Sequence, residues 1–235
     1  MEQKLTLPSS AWDTYYYSYL QVVHELSIAK AGYVLNAFSV TSTIIAPFIG
    51  WGLRAYGRYY WPAVSGIPFC ILGTALLIYF RHPGVDVGYL VMCQVFHGIC
   101  GGIWAMTGPL AIMASVDHQE LAVVLAIYGM FGSIGQAVGF AVSGSIWTND
   151  LPRELNEHLP VGSKNESMAI YGDITKQMEF PIGNPIRDGV VDAYGAVQRE
   201  MVIAGCAFLP FIIVSVLVWR NLPIKERKQT KGTVF

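Results

Sequence analysis

Val87-Gly-Tyr-Leu-Val-Met-Cys-Gln-Val-Phe-His-Gly-Ile-Cys-Gly-Gly-Ile-Trp-Ala-Met-Thr-Gly-Pro-Leu-Ala-Ile-Met-Ala-Ser-Val116 runs for thirty residues without an Asp, Glu, Lys or Arg. A hydrocarbon core about 30 Å thick takes roughly 20 helical residues to cross, so this stretch is long enough to span a bilayer. Four further uncharged runs surround it: Ala31 to Gly52, Pro62 to Phe80, Leu121 to Asn149 and Met201 to Trp219. Lipid offers no partner for backbone amides, so spans of this kind close their hydrogen bonds within helices. The expectation is an all-α integral membrane bundle with five complete transmembrane helices. Composition agrees, with 53% hydrophobic and 13% charged residues and a mean hydropathy of +0.43, against roughly 25% charge in soluble domains.

The first apolar segment is shorter. Only Thr14 to Val23 is free of charge before His24 and Glu25. Counted from Ala11, it reaches about 20 Å at 1.5 Å per residue, too little to span. Met1 to Ser10 lacks the apolar core and small-residue cleavage site of a signal peptide. The reading is a truncated first helix at 11–23, as in the end of a longer membrane protein or a gene product missing its upstream part. The rest divides into four spans over 31–148, a long loop over 149–199, a last span over 200–219 and a tail over 220–235.

Lys and Arg near short loops set orientation. Arg54-Ala-Tyr-Gly-Arg58 and the tail, with Arg220, Lys225, Arg227, Lys228 and Lys231, hold seven of the fifteen Lys and Arg residues in two short clusters, so both are expected on the cytoplasmic side. Alternation then places 149–199 outside, where the sequon Asn165-Glu-Ser167 can accept a glycan. Asp117-His-Gln-Glu120 is cytoplasmic by the same count although it carries no Lys or Arg. At 51 residues with Pro152, Pro160, Pro181 and Pro185, the outer loop exceeds the usual 12 to 15 of a structureless connection. The net charge of −1 says nothing about partners.

All four cysteines, Cys70, Cys93, Cys100 and Cys206, fall in apolar spans and read as packing residues. No metal-ligand spacing, nucleophile elbow, phosphate loop or zinc-protease motif occurs, so neither an enzyme nor a cofactor or metal site is expected. Gly98 and Gly102, and Gly129, Gly132, Gly135 and Gly139, recur at helical spacing, which lets helix backbones approach closely. Such faces serve static packing or sliding during alternating access, and the sequence does not separate the two.

Several stretches carry a more particular likeness: Trp12-Asp-Thr-Tyr, Tyr17-Ser-Tyr-Leu-Gln-Val-Val23, Gly88-Tyr-Leu-Val-Met-Cys-Gln94, Ser143-Gly-Ser-Ile-Trp-Thr-Asn149, Pro181-Ile-Gly-Asn-Pro185, Ala193-Tyr-Gly195 and the closing Lys-Gly-Thr-Val-Phe235. In this order they resemble the carboxyl-terminal half of the fungal siderophore-iron transporters, a branch of the major facilitator superfamily. The resemblance covers nearly all of Trp12 to Phe235. It implies a partial C-terminal helical bundle of that superfamily. It further implies uptake of ferric siderophore chelates by proton symport across a plasma, endosomal or vesicle membrane. The implied partners are the siderophore, protons, the lipid bilayer and a missing N-terminal half, with no nucleic acid. The link containing Gly50, Arg54, Gly57 and Arg58 resembles the superfamily's cytoplasmic gating motif without the acidic residue of its fullest form; plain topogenic charge is the other reading. The outer loop resembles a lid, with Tyr171 and Tyr194 as contacts, or is a glycosylated spacer.

A chelated ferric ion needs a pocket for the chelate rather than protein ligands for iron. Such a pocket is mostly apolar with a few placed polar or aromatic groups. The candidates are Tyr15, Tyr16, Tyr17, Tyr19, Gln94, His97, Trp104 and Gln136; for the tyrosines and Trp104 an aromatic belt or core packing is the plain alternative. His97, eleven residues into the uncharged run, and Asp13 are the candidate proton carriers. A neutral histidine bonded to a neighbouring helix is the alternative for His97. Two other functions remain open: a multidrug:proton antiporter, and a membrane receptor or assembly partner without transport. A lone half lacks the cavity between halves, so the chain is expected to be inactive by itself.

Overall fold

The computed structural model describes residues 13–181 and 183–223. The segment 1–10 with Trp12, and the tail residues Lys225, Arg227, Lys228 and Lys231, lie outside the described residues. The elements in order are α1 (Tyr16–Val22), α2 (Ile28–Tyr56), α3 (Tyr60–Phe80), α4 (Val87–Met113), α5 (Leu121–His158), α6 (Ser167–Gly172), α7 (Ile174–Glu179), α8 (Pro185–Cys206) and α9 (Leu209–Leu217). Short 3₁₀ turns at His118–Glu120 and Val161–Glu166 complete the path. Among the described residues, five helical stretches are long and apolar enough to cross a membrane: α2, α3, α4, α5, and α8 with α9 taken together as Pro185–Leu217. The fold is the all-α membrane bundle expected from the uncharged runs.

Local chemistry sets the helix ends. Ser27 Oγ accepts from Lys30 N at 3.4 Å, Asp86 Oδ1 from Gly88 N at 2.6 Å and Asn184 Oδ1 from Ile186 N at 2.9 Å, so α2, α4 and α8 each begin at a side-chain N-cap. Pro185 occupies the first turn of α8, where its missing N–H costs nothing. Gly57 ends α2 with φ of 71°, the left-handed region that a side chain disfavours.

α4 is the core of the bundle. Sixty-one per cent of its most apolar stretch is buried, against 6% in α2 and in α5. It packs chiefly between α2 and α3, while α5 and α8 form a second pair. The α2–α4 contact depends on missing side chains: a Cβ on Gly98 would lie 2.7 Å from Phe38 O and 2.6 Å from Thr41 Cβ, and one on Gly102 would lie 2.7 Å from Ser42 O. On its other side α4 sends large side chains into notches in α3. Trp104 sits on Gly66, and His97 on Gly73.

The boundaries of 149–199 differ from the expectation. α5 continues beyond the end of its uncharged run to His158, and α8 already begins at Pro185; the connection between them, 159–184, is largely short helices. Hydropathy ends a span at the first charge, whereas a helix continues while one face still buries. Leu151 and Leu155 make that face in α5, and Val190, Ala193, Tyr194, Val197 and Met201 make it in α8. A Cβ on Gly189 would meet His158 O at 2.6 Å, so the two extensions cross in close contact.

The glycines of α5 are less uniform than their spacing implies. Gly132 and Gly139 are buried, but a Cβ on Gly129 would meet nothing within 4 Å. Gly98→Ala and Gly102→Ala are each expected to cost about 1–3 kcal/mol, because backbone carbonyls cannot move aside. Gly129→Ala should be neutral or gain up to about 1 kcal/mol from helix propensity. Thermal unfolding of the detergent-solubilised protein measures the difference.

Candidate functional site

Polar side chains meet where α1 covers the junction of α3 and α4. Gln94, on α4, donates to Asp13 Oδ1 at 3.4 Å. Arg81, the residue that ends α3, brings Nη2 to 3.9 Å from the same oxygen and sets its guanidinium carbon 3.8 Å from the centre of the Tyr16 ring. The Arg81 side chain is fully enclosed, while that of Asp13 is one-third exposed. Tyr16 and Tyr19 are buried, with ring centres 6.1 Å apart. Asp13 and Gln94 were expected from the sequence; Arg81 was not, since a charge just after an uncharged run ordinarily marks a solvated helix end.

One turn along α4 lies His97, bonded on both ring nitrogens. Nδ1 is 3.0 Å from Cys93 O, which can only accept, so Nδ1 carries a hydrogen. Nε2 is 3.1 Å from Thr74 Oγ1, and that hydroxyl is also 2.8 Å from Cys70 O. In the neutral ring Thr74 donates to Nε2. In the charged ring Nε2 donates to Thr74, which turns its own hydrogen to Cys70 O. The imidazole can therefore exchange a proton without losing either hydrogen bond.

Other candidates fall into packing. Trp104 Nε1 donates to Ala63 O at 2.8 Å, and the ring is fully buried between α3 and α4. Tyr15 stacks on Trp147 with ring centres 4.1 Å apart and planes within 2°; Tyr194 meets Trp147 edge-on at 5.3 Å. Tyr17 donates to Ile28 O at 3.3 Å. Gln136 is exposed on α5 and joins none of these groups.

The 159–184 segment is tied down from below. Arg187, buried in the first turn of α8, donates to Gln177 O and to Val22 O at the end of α1. Gln177 Nε2 donates to Ile170 O at 2.7 Å, and its Oε1 accepts from Tyr194 at 2.6 Å. Tyr194 is thus an interior tie rather than a surface contact, and Tyr171 is half-buried beside it. Asn165 is exposed on its 3₁₀ turn. Nearby, Asp173 accepts from Thr175 N at 2.8 Å, and that hydrogen bond holds its carboxyl below the usual carboxylate range. Burial pushes the His24 imidazole below its ordinary value, with Asp86 opposing.

At the other end of the bundle, Arg54 and Arg58 are exposed, and a Cβ on Gly50 would meet nothing within 4 Å. Arg58 bridges to Pro223, and Tyr59 donates to Arg220 O at 2.5 Å. A cavity of about 530 Å³ opens there between Tyr59, Gly108, Ser115, Tyr128 and Trp219. A second, apolar cleft of about 700 Å³ lies between α5 and α9, walled by Ile127, Phe131, Gly135, Phe208 and Phe211.

The family model described as Major Facilitator Superfamily matches residues 7–149, more than half of the chain. The chain belongs to the major facilitator superfamily. Its relatives include MFS siderochrome iron transporter 1 of Ajellomyces capsulatus, 49% identical over 88% of this chain and 37% of the relative. MFS siderochrome iron transporter B of Aspergillus fumigatus is 42% identical over 94% of this chain and 36% of its own. Siderophore iron transporter mirB of Emericella nidulans is 38% identical over 95% and 37%. These likenesses bear out the siderophore-iron branch read from the sequence. The chain spans little more than a third of the length of these relatives, which fits a carboxyl-terminal half.

In this member of the superfamily, the tie from Arg187 to the end of α1 makes a specific demand on the 159–184 segment. Arg187→Ala removes the donors that hold Gln177 O and Val22 O, and cleavage within 159–184 by added protease is expected to speed up by roughly tenfold, as a loss of about 1.4 kcal/mol in closing implies. Limited proteolysis of the membrane-embedded protein reads this directly.

Proposed function

We propose that this chain is the carboxyl-terminal half of a ferric-siderophore:proton symporter, a carrier rather than an enzyme. Its relatives are named for siderochrome or siderophore iron transport. The observation that carries the reading is the polar line Asp13, Gln94, Arg81 and His97 with Thr74, buried except at Asp13 and set among membrane-spanning helices. Polar groups at such depth are costly and mark pathways for protons and solutes. In this reading His97 and Asp13 handle the proton, and the chelate enters beside α1.

The substrate path needs the facing N-terminal half, because such transporters bind their substrate between two bundles. We accordingly assign the 235-residue chain no uptake of its own. The basic link at Arg54 and Arg58 faces the cytoplasm together with the chain's C-terminus, and 159–184 faces outward, in a plasma, endosomal or vesicle membrane. The link serves as the inner gate.

The deciding experiment is uptake of radio-iron presented as a ferric hydroxamate, in cells lacking their own carriers, with this chain compared with a form extended through the upstream transcript. Uptake by the extended form alone is the expected result; uptake of a drug-like cation, or of nothing, would sink the reading. In the extended form, His97→Ala should lower uptake by about tenfold or more with the surface amount unchanged. Loss of the protein from the surface would instead assign His97 to packing. Asn165→Gln should increase gel mobility, since the outward orientation exposes the sequon to glycosylation.

A further inference from the structure

The environment of Arg81 is incomplete in a way that points to a ligand. Its side chain is 0% exposed, and Nε, Nη1 and Nη2 have no hydrogen-bond partner among the described residues. Asp13 is the carboxylate that faces it, but at 3.9 Å the pair is beyond hydrogen-bond reach. Tyr16 covers the guanidinium with its ring face, which attracts the charge and satisfies no N–H. The hydroxyls of Tyr16 and Tyr19 are likewise buried without a partner. An enclosed guanidinium with five unspent donors is far more costly than a paired one. The groups around it, Tyr16 and Tyr19 from the α1 side and Cys93, Gln94 and His97 from α4, offer donors, rings and a thiol but no second anion.

We propose that Arg81 is the receptor for an anionic oxygen of the transported chelate, and that Asp13 competes with the ligand for it. This rests on the transporter reading above and names the chemistry of its substrate site. The planar fork of a guanidinium matches a carboxylate or a pair of chelate oxygens, each taking two parallel N–H donors. Asp13 precedes α1 and Tyr16 lies within it, so displacement of this short helix uncovers Arg81 and withdraws its two present neighbours together. Protonation of Asp13 has the same direction of effect. A charged Asp13 compensates Arg81 through space, whereas a protonated one leaves the guanidinium to the ligand. A proton and an anionic ligand then favour each other's binding, which is the linkage that symport needs.

The test measures the KM for uptake by the extended form with two ferric trihydroxamates of matched frame. In one the three hydroxamate charges balance the ferric ion; the other carries an additional free carboxylate. Arg81→Gln should raise KM by about tenfold or more, and Arg81→Lys, which keeps the charge and loses the fork, by an intermediate factor. A rise confined to the second chelate identifies the free carboxylate as the bound oxygen, and a rise for both identifies the oxygens that hold the iron. Asp13→Asn should lower KM and abolish its fall with external acidification. If Arg81→Gln does not reach the surface, Asp13→Asn decides alone. An unchanged KM in Arg81→Gln at normal surface level, or an unchanged or raised KM in Asp13→Asn, overturns the proposal. Failure of the unsubstituted protein to take up either chelate overturns the transport reading itself, and this inference with it.

Discussion

The backbones of α2 and α4 pass so closely at Gly98 and Gly102 that an added carbon would meet a carbonyl oxygen at 2.7 Å, and the rest of the bundle is arranged around that contact. Between helices in lipid there is no hydrophobic drive, so close van der Waals approach supplies much of the attraction. With α2 drawn against one side of α4, the large side chains of α4 have to go to the other. They do so in register with α3: Trp104 fits over Gly66 and His97 over Gly73, each notch receiving a ring that makes a hydrogen bond on arrival. Small residues on α3 and α4 thereby fix where the polar groups of α4 are held.

That arrangement explains why two histidine and tryptophan positions of similar depth have different uses. Trp104 has one donor and gives it to Ala63 O, a bond with no alternative state. His97 faces a hydroxyl that can donate or accept, and the hydroxyl faces a carbonyl in turn. The first locks α3 to α4; the second leaves the same interface able to hold a proton in either of two complete bonding patterns. The Trp104 bond, by holding α3 against α4, helps keep the His97 to Thr74 distance within hydrogen-bond range in both.

The spans were legible because absence of charge over about twenty residues has one physical reading in water and lipid. The ends of α5 and α8 were not, since Leu151, Leu155, Val190 and Val197 bury one face among residues that are polar on the other, and hydropathy averages the faces together. The site was legible in part. Asp13, Gln94 and His97 stand out as polar groups in or beside apolar runs, but Trp104 and Tyr194, equally conspicuous, are spent on packing. Arg81 was invisible because its meaning lies in Asp13 and Tyr16, more than sixty positions away in the chain, and no periodicity carries that pairing. Arg187 and Gln177 were hidden for the same reason inside a stretch that reads as a loop.

Arg81 and Arg187 together give α1 a particular mechanical position. One enclosed guanidinium lies against the start of this helix, through Asp13 and Tyr16, and the other against its end, through Val22 O. The two contacts differ in kind. Arg187 also lies 3.9 Å from a carboxylate, that of Glu25, but adds hydrogen bonds to two carbonyls that do not titrate, so that part of its hold is constant and carries the 159–184 segment with it. Arg81 has a through-space contact with a carboxylate and a ring face, neither of which satisfies a donor, so its hold is weaker and depends on the charge of Asp13. The start of this seven-residue helix is also held by Ser143, which donates to Thr14 at 3.3 Å, and by the stack of Tyr15 on Trp147, so only part of its hold depends on charge. In the displacement proposed above, the contact with Arg81 is the one that Asp13 protonation weakens, while the Arg187 hydrogen bonds to Val22 O and Gln177 O do not depend on that proton.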